Sequence, residues 1–134
     1  MVWTGAFPQS AGKRALTDKV YTDAVEKCRR LSRKEGIDAI MDKEKLDALV
    51  APTGGVAGKT DLIYGDHGAG GTSSTAAMAG YPNITVPCGQ VFGLPVGMSF
   101  MGRAYSEPVL LKIAYAFEQA TKARMTPKFI PSVG

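Results

Sequence analysis

Ala79-Gly80-Tyr81-Pro82-Asn83-Ile84-Thr85-Val86-Pro87 and, after a short gap, Gly93-Leu94-Pro95-Val96-Gly97-Met98-Ser99-Phe100-Met101-Gly102 form the stretch from which the architecture is read. Asn83–Pro87 and Pro95–Met101 are rich in β-formers, and the second alternates large with small residues, so the two predict strands joined across Gly93 as a hairpin. Downstream, Ser106 is placed to cap a helix whose first turn holds Glu107 and Pro108. There a carboxylate meets the positive helix end, and proline lacks only a donor that would go unused. Leu110, Ile113, Ala114, Phe117 and Ala120 form one face of this helix; Leu111 and Tyr115 widen it, which predicts cover on more than one side. Pro127 and Pro131 predict an extended tail.

Upstream, Thr72 or Ser73 caps a short helix through Ala76, Ala77, Met78 and Ala79, ended by Gly80. Its small side chains allow a close backbone approach to a neighbour. Before it, Lys59 to Gly71 reads as a loop with one apolar knot, Leu62-Ile63-Tyr64. Leu46 to Ala51 predicts a buried strand ended by Pro52 and Gly54-Gly55. From Thr17 as N-cap, Val20, Ala24, Cys28 and Leu31, with Tyr21 and Val25 alongside, draw an apolar stripe at helical period. That helix is expected to stop near Gly36, with Ile37 to Met41 forming a short helix of its own. Residues 1–16 lack periodicity and read as a flexible leader to a single partial domain spanning 1–134.

The chain has 134 residues, 45% hydrophobic and 21% charged, a composition that fits a folded globular chain and excludes disorder and collagen. No apolar run reaches the roughly 18 residues of a membrane span, and the N-terminus has no stretch of signal-peptide type, so a cytoplasmic location is expected. Residues 13–35 hold eight basic and four acidic residues, which accounts for the whole net charge of +4. The positive field therefore belongs to one helix face rather than to a groove with interleaved aromatics, and no nucleic-acid partner is expected. Cys28 and Cys88 form no CxxC pair and read as two reduced, buried thiols.

Gly65-Asp66-His67-Gly68-Ala69-Gly70-Gly71-Thr72-Ser73-Ser74-Thr75 is the richest chemical stretch. Gly65 and Gly70 have the spacing of a phosphate loop, but Gly71 stands where the lysine must neutralise phosphate. Gly68 and Gly70 begin a dinucleotide fingerprint whose third glycine is replaced by Ser73. Ser73 and Ser74 offer hydroxyls, and Asp66 with His67 a base. Adjacent residues point apart, however, so Asp66 is poorly placed to orient His67, and nothing fixes His67 near either serine. What survives is a polar, glycine-rich loop able to line a pocket, with the serines as caps. Elsewhere, Arg103 is positioned to pair with Glu107, and Asp47 to face solvent.

In consecutive order, Leu46-Asp47-Ala48-Leu49-Val50-Ala51-Pro52-Thr53, the two hairpin segments, and Phe117-Glu118-Gln119-Ala120-Thr121 resemble the closing segments of amidase signature family enzymes across about residues 17–131. The resemblance implies the C-terminal part of an α/β/α sandwich with a mixed sheet. The family hydrolyses amides through a Ser-Ser-Lys triad, and its three residues lie upstream of the part this chain resembles. The implied chain therefore lacks them and is expected to be inactive alone. No catalytic residue is transferred to Ser73 or Ser74. The loop before Ala79 borders the substrate pocket in the family, which assigns Asp66, His67, Gly71, Thr72, Ser73 and Ser74 to substrate binding. Amidotransferase-type members place an acidic residue in that loop, and the aligned position here is Gly70, so small carboxamides are expected over a glutamine-specific reaction. No cofactor and no metal site are expected. The implied partners are the missing N-terminal amidase portion or a second copy of the chain, with the amide bound only by a complete enzyme. The rival readings are a non-catalytic protein-association module and an anion-binding loop protein built on Gly68 to Ser74.

Overall fold

The computed structural model describes residues 16–65, 68 and 70–127. Helix α1 spans Lys19–Arg29. Its N-cap is Asp18 rather than Thr17, because the Asp18 carboxylate accepts the Val20 amide at 2.9 Å. As expected, the helical run breaks near Gly36: after wider π turns from Arg30 the backbone leaves helical geometry at Gly36 (φ −108°, ψ −105°), and this bend leads into a separate short helix, α2, Asp38–Glu44. A β-carbon at Gly36 would lie 2.6 Å from the Leu31 carbonyl oxygen, so only glycine admits this bend. The bend turns Ile37 and Met41 inward, and each is 2% exposed.

Strand β1 is Leu49–Pro52, later than the expected start at Leu46. Helix α3, Ser73–Ala79, ends as expected on Gly80 at positive φ (63°). The hairpin is longer than the sequence suggests: β2 is Asn83–Val91 and β3 is Leu94–Met101. A register shift between Pro87 and Gly89 lets β2 continue past its proline. Phe92 and Gly93 both take positive φ (51° and 77°), the backbone of a two-residue type I′ turn, which matches the strand twist. Helix α4, Glu107–Thr121, follows Ser106. The Ser106 hydroxyl donates to the Arg103 carbonyl at 2.8 Å instead of accepting from its own helix.

The three strands form an antiparallel sheet in the order β1-β3-β2. On one face, Val86 and Phe100 pack with Leu110 and Ala114 of α4, and the Phe100 and Phe117 rings meet edge-on at 5.7 Å. A second cluster, Ile37, Met41 and Ala79 with Leu49 and Tyr81 against it, covers the other side. Leu49 lies opposite Met101, so by strand alternation this cluster packs on the face away from α4. Helices thus cover both faces, in an α/β arrangement. No helix among the described residues is long and apolar enough to cross a membrane.

Two further readings are corrected. Arg103 pairs with Asp42 at 2.5 Å rather than with Glu107, which joins the end of β3 to α2. Cys28 is exposed and Cys88 half-buried; Cys28 lies on the apolar stripe of α1, which the described residues leave open, Val20 being 65% and Leu31 47% exposed.

Candidate functional site

The glycine-rich loop is fastened to the sheet at its C-terminal end. Gly71 forms an isolated antiparallel bridge with Gly54. The Thr72 amide donates to the Thr53 carbonyl at 3.3 Å, and the Thr72 hydroxyl donates to the Pro52 carbonyl at 3.2 Å. These contacts require close backbone approach, since a β-carbon at Gly71 would stand 3.1 Å from the Thr53 oxygen. Thr72 is the residue before α3, yet its hydroxyl serves β1 rather than its own helix. Ser73 and Ser74 follow in the exposed first turn of α3. The structure therefore brings Gly71, Thr72, Ser73 and Ser74 together at the end of β1. Asp66 and His67 lie outside the described residues.

At the other end of the loop, the Asp61 carboxylate accepts the Ile63 and Tyr64 amides, each at 2.9 Å, and the Gly65 amide returns to the Asp61 carbonyl at 3.0 Å. Hydrogen bonds from Tyr64 first and Ile63 next favour the charged form and hold the Asp61 carboxyl below the usual carboxylate range. The Leu62-Ile63-Tyr64 knot sits on this turn with its apolar side chains outward: Leu62 is 94% exposed.

Thr53, which holds Thr72, is itself held by a cluster that sequence reasoning missed. Ser99, fully buried on β3, lies 2.8 Å from the Thr53 hydroxyl and 2.9 Å from that of Thr85 on β2. The Thr53 hydroxyl donates to that of Thr85 at 3.3 Å, which closes a hydroxyl triangle across all three strands. Gly97 leaves room for it, since a β-carbon there would meet Thr85 Cγ2 at 2.8 Å and Thr53 Oγ1 at 2.9 Å. Only strand alternation could have signalled the cluster, because Thr53, Thr85 and Ser99 share a face once the register is known.

A second polar group fixes α3 and the chain after it. Arg33 Nε donates to the Ala79 carbonyl at 2.5 Å, and its guanidinium lies 5.2 Å from the centre of the Tyr81 ring. The Tyr81 hydroxyl donates to Asp38 at 2.8 Å. Burial first, and the hydrogen bond to Asp38 second, push the Tyr81 phenol above its ordinary value. Among the described residues no group of three His, Cys, Asp or Glu side chains is placed to hold a metal. Chemically, the assembled groups tie β1, α3 and the end of the glycine-rich loop to the sheet.

No family model matches the chain. It is 45% identical over 108 residues to a probable amidase of Arabidopsis thaliana, an alignment covering 80% of this chain and 18% of that protein. It is 34% identical over 125 residues to the A component of the glutamyl-tRNA(Gln) amidotransferase of Desulforudis audaxviator, covering 90% of this chain and 24% of the relative. Among solved structures, the native peptide amidase from Stenotrophomonas maltophilia superposes with a TM-score of 0.79 at 52% identity, over 88% of this chain and 23% of the enzyme. The chain thus spans between 18% and 24% of the length of these relatives. Segment order, fold and identity agree: the homologues of this chain are amidases and amidotransferase A subunits of the amidase signature family, and the chain corresponds to a C-terminal segment of the amidase fold.

Proposed function

We propose that the chain forms one wall of an amide-hydrolysing site and works on carboxylic amides only together with the remainder of an amidase fold. The observation that carries this reading is the fastening of Thr72 to Pro52 and Thr53, which holds the head of the glycine-rich loop against the sheet. Within the proposal, Gly71, Thr72, Ser73 and Ser74, with Asp66 and His67 from the same loop, border the bound amide. None of them is the nucleophile. The bond-breaking serine, its bridging serine and the lysine base belong to the other portion, and residues 1–134 alone turn over no amide. Similarity to the peptide amidase at 52% identity favours a peptide-derived or other small carboxamide over glutaminyl chemistry, as does Gly70 in place of an acidic residue. Without that portion, the exposed apolar side chains favour self-association, and the compartment we propose is the cytoplasm.

The test is an amide-release assay on aliphatic, aromatic and peptide amides. The chain alone is expected to release no ammonia above background. Co-expression with the remaining portion of the Stenotrophomonas maltophilia enzyme is expected to restore release. Turnover by the chain alone that is abolished by Ser73→Ala or Ser74→Ala would overturn the assignment.

A further inference from the structure

Helix α3 carries the candidate wall on its first turn, and it is short. Its seven residues, at a rise of about 1.5 Å each, are too few to hold a helix without outside support. Its own side chains grip little. Ala76 and Ala79 are buried but small, and Met78 is 59% exposed. Thr72 ties the front of the helix to β1 through the Pro52 and Thr53 carbonyls. The direction in which Ser73 and Ser74 are presented therefore depends on where the rear end is seated.

That rear end is seated on a side chain from far away in the sequence. Ala76 accepts the Tyr81 amide at 3.0 Å and Ala77 the Gly80 amide at 3.1 Å, both local contacts. The Ala79 carbonyl instead accepts from Arg33 Nε at 2.5 Å, across 46 positions. A guanidinium suits this place, because the last carbonyls of a helix lack partners within it and carry partial negative charge. Gly80 admits it: this residue sits at φ 63°, and a β-carbon there would stand 3.1 Å from Arg33 Nη2.

Arg33 is itself held. It is half-buried and lies 5.2 Å from the centre of the Tyr81 ring, whose hydroxyl donates to Asp38 at 2.8 Å. Arg33 and Asp38 are the two ends of one wide turn, since the Asp38 amide donates to the Arg33 carbonyl. That turn sets a cation beside the Tyr81 ring and a carboxylate on its hydroxyl. One turn further along α2, Asp42 pairs with Arg103, just after β3, at 2.5 Å. A continuous set of contacts thus runs from the sheet through α2, Asp38, Tyr81 and Arg33 to the last carbonyl of α3.

We propose that Arg33 is a positioning residue for amide binding: it seats the rear of α3 and, through that helix, sets where Ser73 and Ser74 meet the amide. The inference rests on the reading given under Proposed function and adds a residue outside the loop that governs the wall. Arg33 acts without touching the amide. The nucleophile and base belong to the other portion, so displacing Ser73 and Ser74 removes binding that ground state and transition state share. KM then moves and kcat does not.

In the test, residues 1–134 are co-expressed with the remaining portion of the Stenotrophomonas maltophilia enzyme, and ammonia release from a peptide amide is measured. Arg33→Met keeps the packing of the stem and removes the donor and the charge. It is expected to raise KM roughly tenfold and to leave kcat within about twofold of wild type. In a Ser73→Ala/Ser74→Ala background, which itself raises KM, Arg33→Met is expected to add less than about twofold, because residues that act through one another are not additive. A general loss of folding would act equally in both backgrounds. Tyr81→Phe keeps the ring and frees it from Asp38; it is expected to raise KM by about two- to fourfold at unchanged kcat, and it decides in place of Arg33→Met if that variant does not fold. An Arg33→Met that folds and leaves KM unchanged, or raises it equally in both backgrounds, removes Arg33 from this role and leaves the amidase reading standing. If Ser73→Ala/Ser74→Ala leaves KM unchanged, or the complex releases no ammonia, the reading under Proposed function falls and this inference with it.

Discussion

Ser99 has no contact with solvent, and its hydroxyl is the group that Thr53 and Thr85 share. Replacing it with alanine leaves two hydroxyls 3.3 Å apart, with one short bond lost to each. Ser99→Ala is therefore expected to cost about 1–3 kcal/mol, the usual range for a hydrogen-bonding group left short of a buried partner, read as a lower midpoint in urea. Tyr81 gives a pH-dependent counterpart. Its phenol is raised above the ordinary value because the neutral form is favoured by burial and donates to Asp38. The stabilisation is fully present below the unfolded-state value near 10 and is lost as pH rises through the higher folded-state value. Thermal melts of the wild-type chain are expected to fall more steeply above pH 10 than those of Tyr81→Phe, which has no proton to lose there. Equal alkaline slopes would remove Tyr81 from the account.

Among the elements, the β2–β3 turn holds the clearest local conflict. Phe92 is 98% exposed and sits at φ 51°, a left-handed conformation that costs a branched or bulky residue roughly 1–2 kcal/mol. Asparagine tolerates that region, so Phe92→Asn is expected to stabilise the hairpin by about 1 kcal/mol, seen as a raised melting temperature. The hairpin itself was legible because Gly93 separates two runs of β-formers, and α4 because Ser106, Glu107 and Pro108 mark its start. The extension of β2 to Val91 was not, since Pro87 reads as a terminus unless the partner strand is known to accommodate a bulge. Gly36, in contrast, was legible: a glycine after a helical stripe signals a stop, and the backbone leaves helical geometry there before the chain resumes as α2 with Ile37 and Met41 buried. At the candidate site, the loop was visible from its composition. Its fastening was not, because Thr53, Thr85 and Ser99 become neighbours only through the register of three strands.

At the scale of the whole molecule, uncovered apolar side chains lie on α1 and beside β1 as well as on the Leu62-Ile63-Tyr64 knot, at Phe92 and Tyr105, and on α4 at Leu111 and Tyr115. Val20, Leu31, Val50 and Met78 are each between 47% and 65% exposed, and the Val50 backbone lies at an open strand edge. Such surface drives association when its natural cover is missing. Light scattering on the chain alone, over a hundredfold concentration range, is expected to show a mass that rises with concentration. A strictly monomeric, cooperatively melting species throughout would instead mark an autonomous domain. The same measurement on a complex with the remaining amidase portion is expected to give a mass independent of concentration.

The Gly54–Gly71 bridge has a bearing on how such a protein changes over generations. It brings the chain back against the end of β1, so the two ends of the excursion between Gly54 and Gly71 touch. Lengthening a flexible loop between fixed ends costs only about 0.6 kcal/mol for each doubling. Insertions, deletions and exchanges of polarity inside the excursion can accumulate while the strands beneath keep their register. On the reading given under Proposed function, the clasp thereby separates inheritance of the scaffold from drift in what the scaffold recognises, and transplanting residues 55–70 from one relative to another is the smallest graft expected to carry a preference with it.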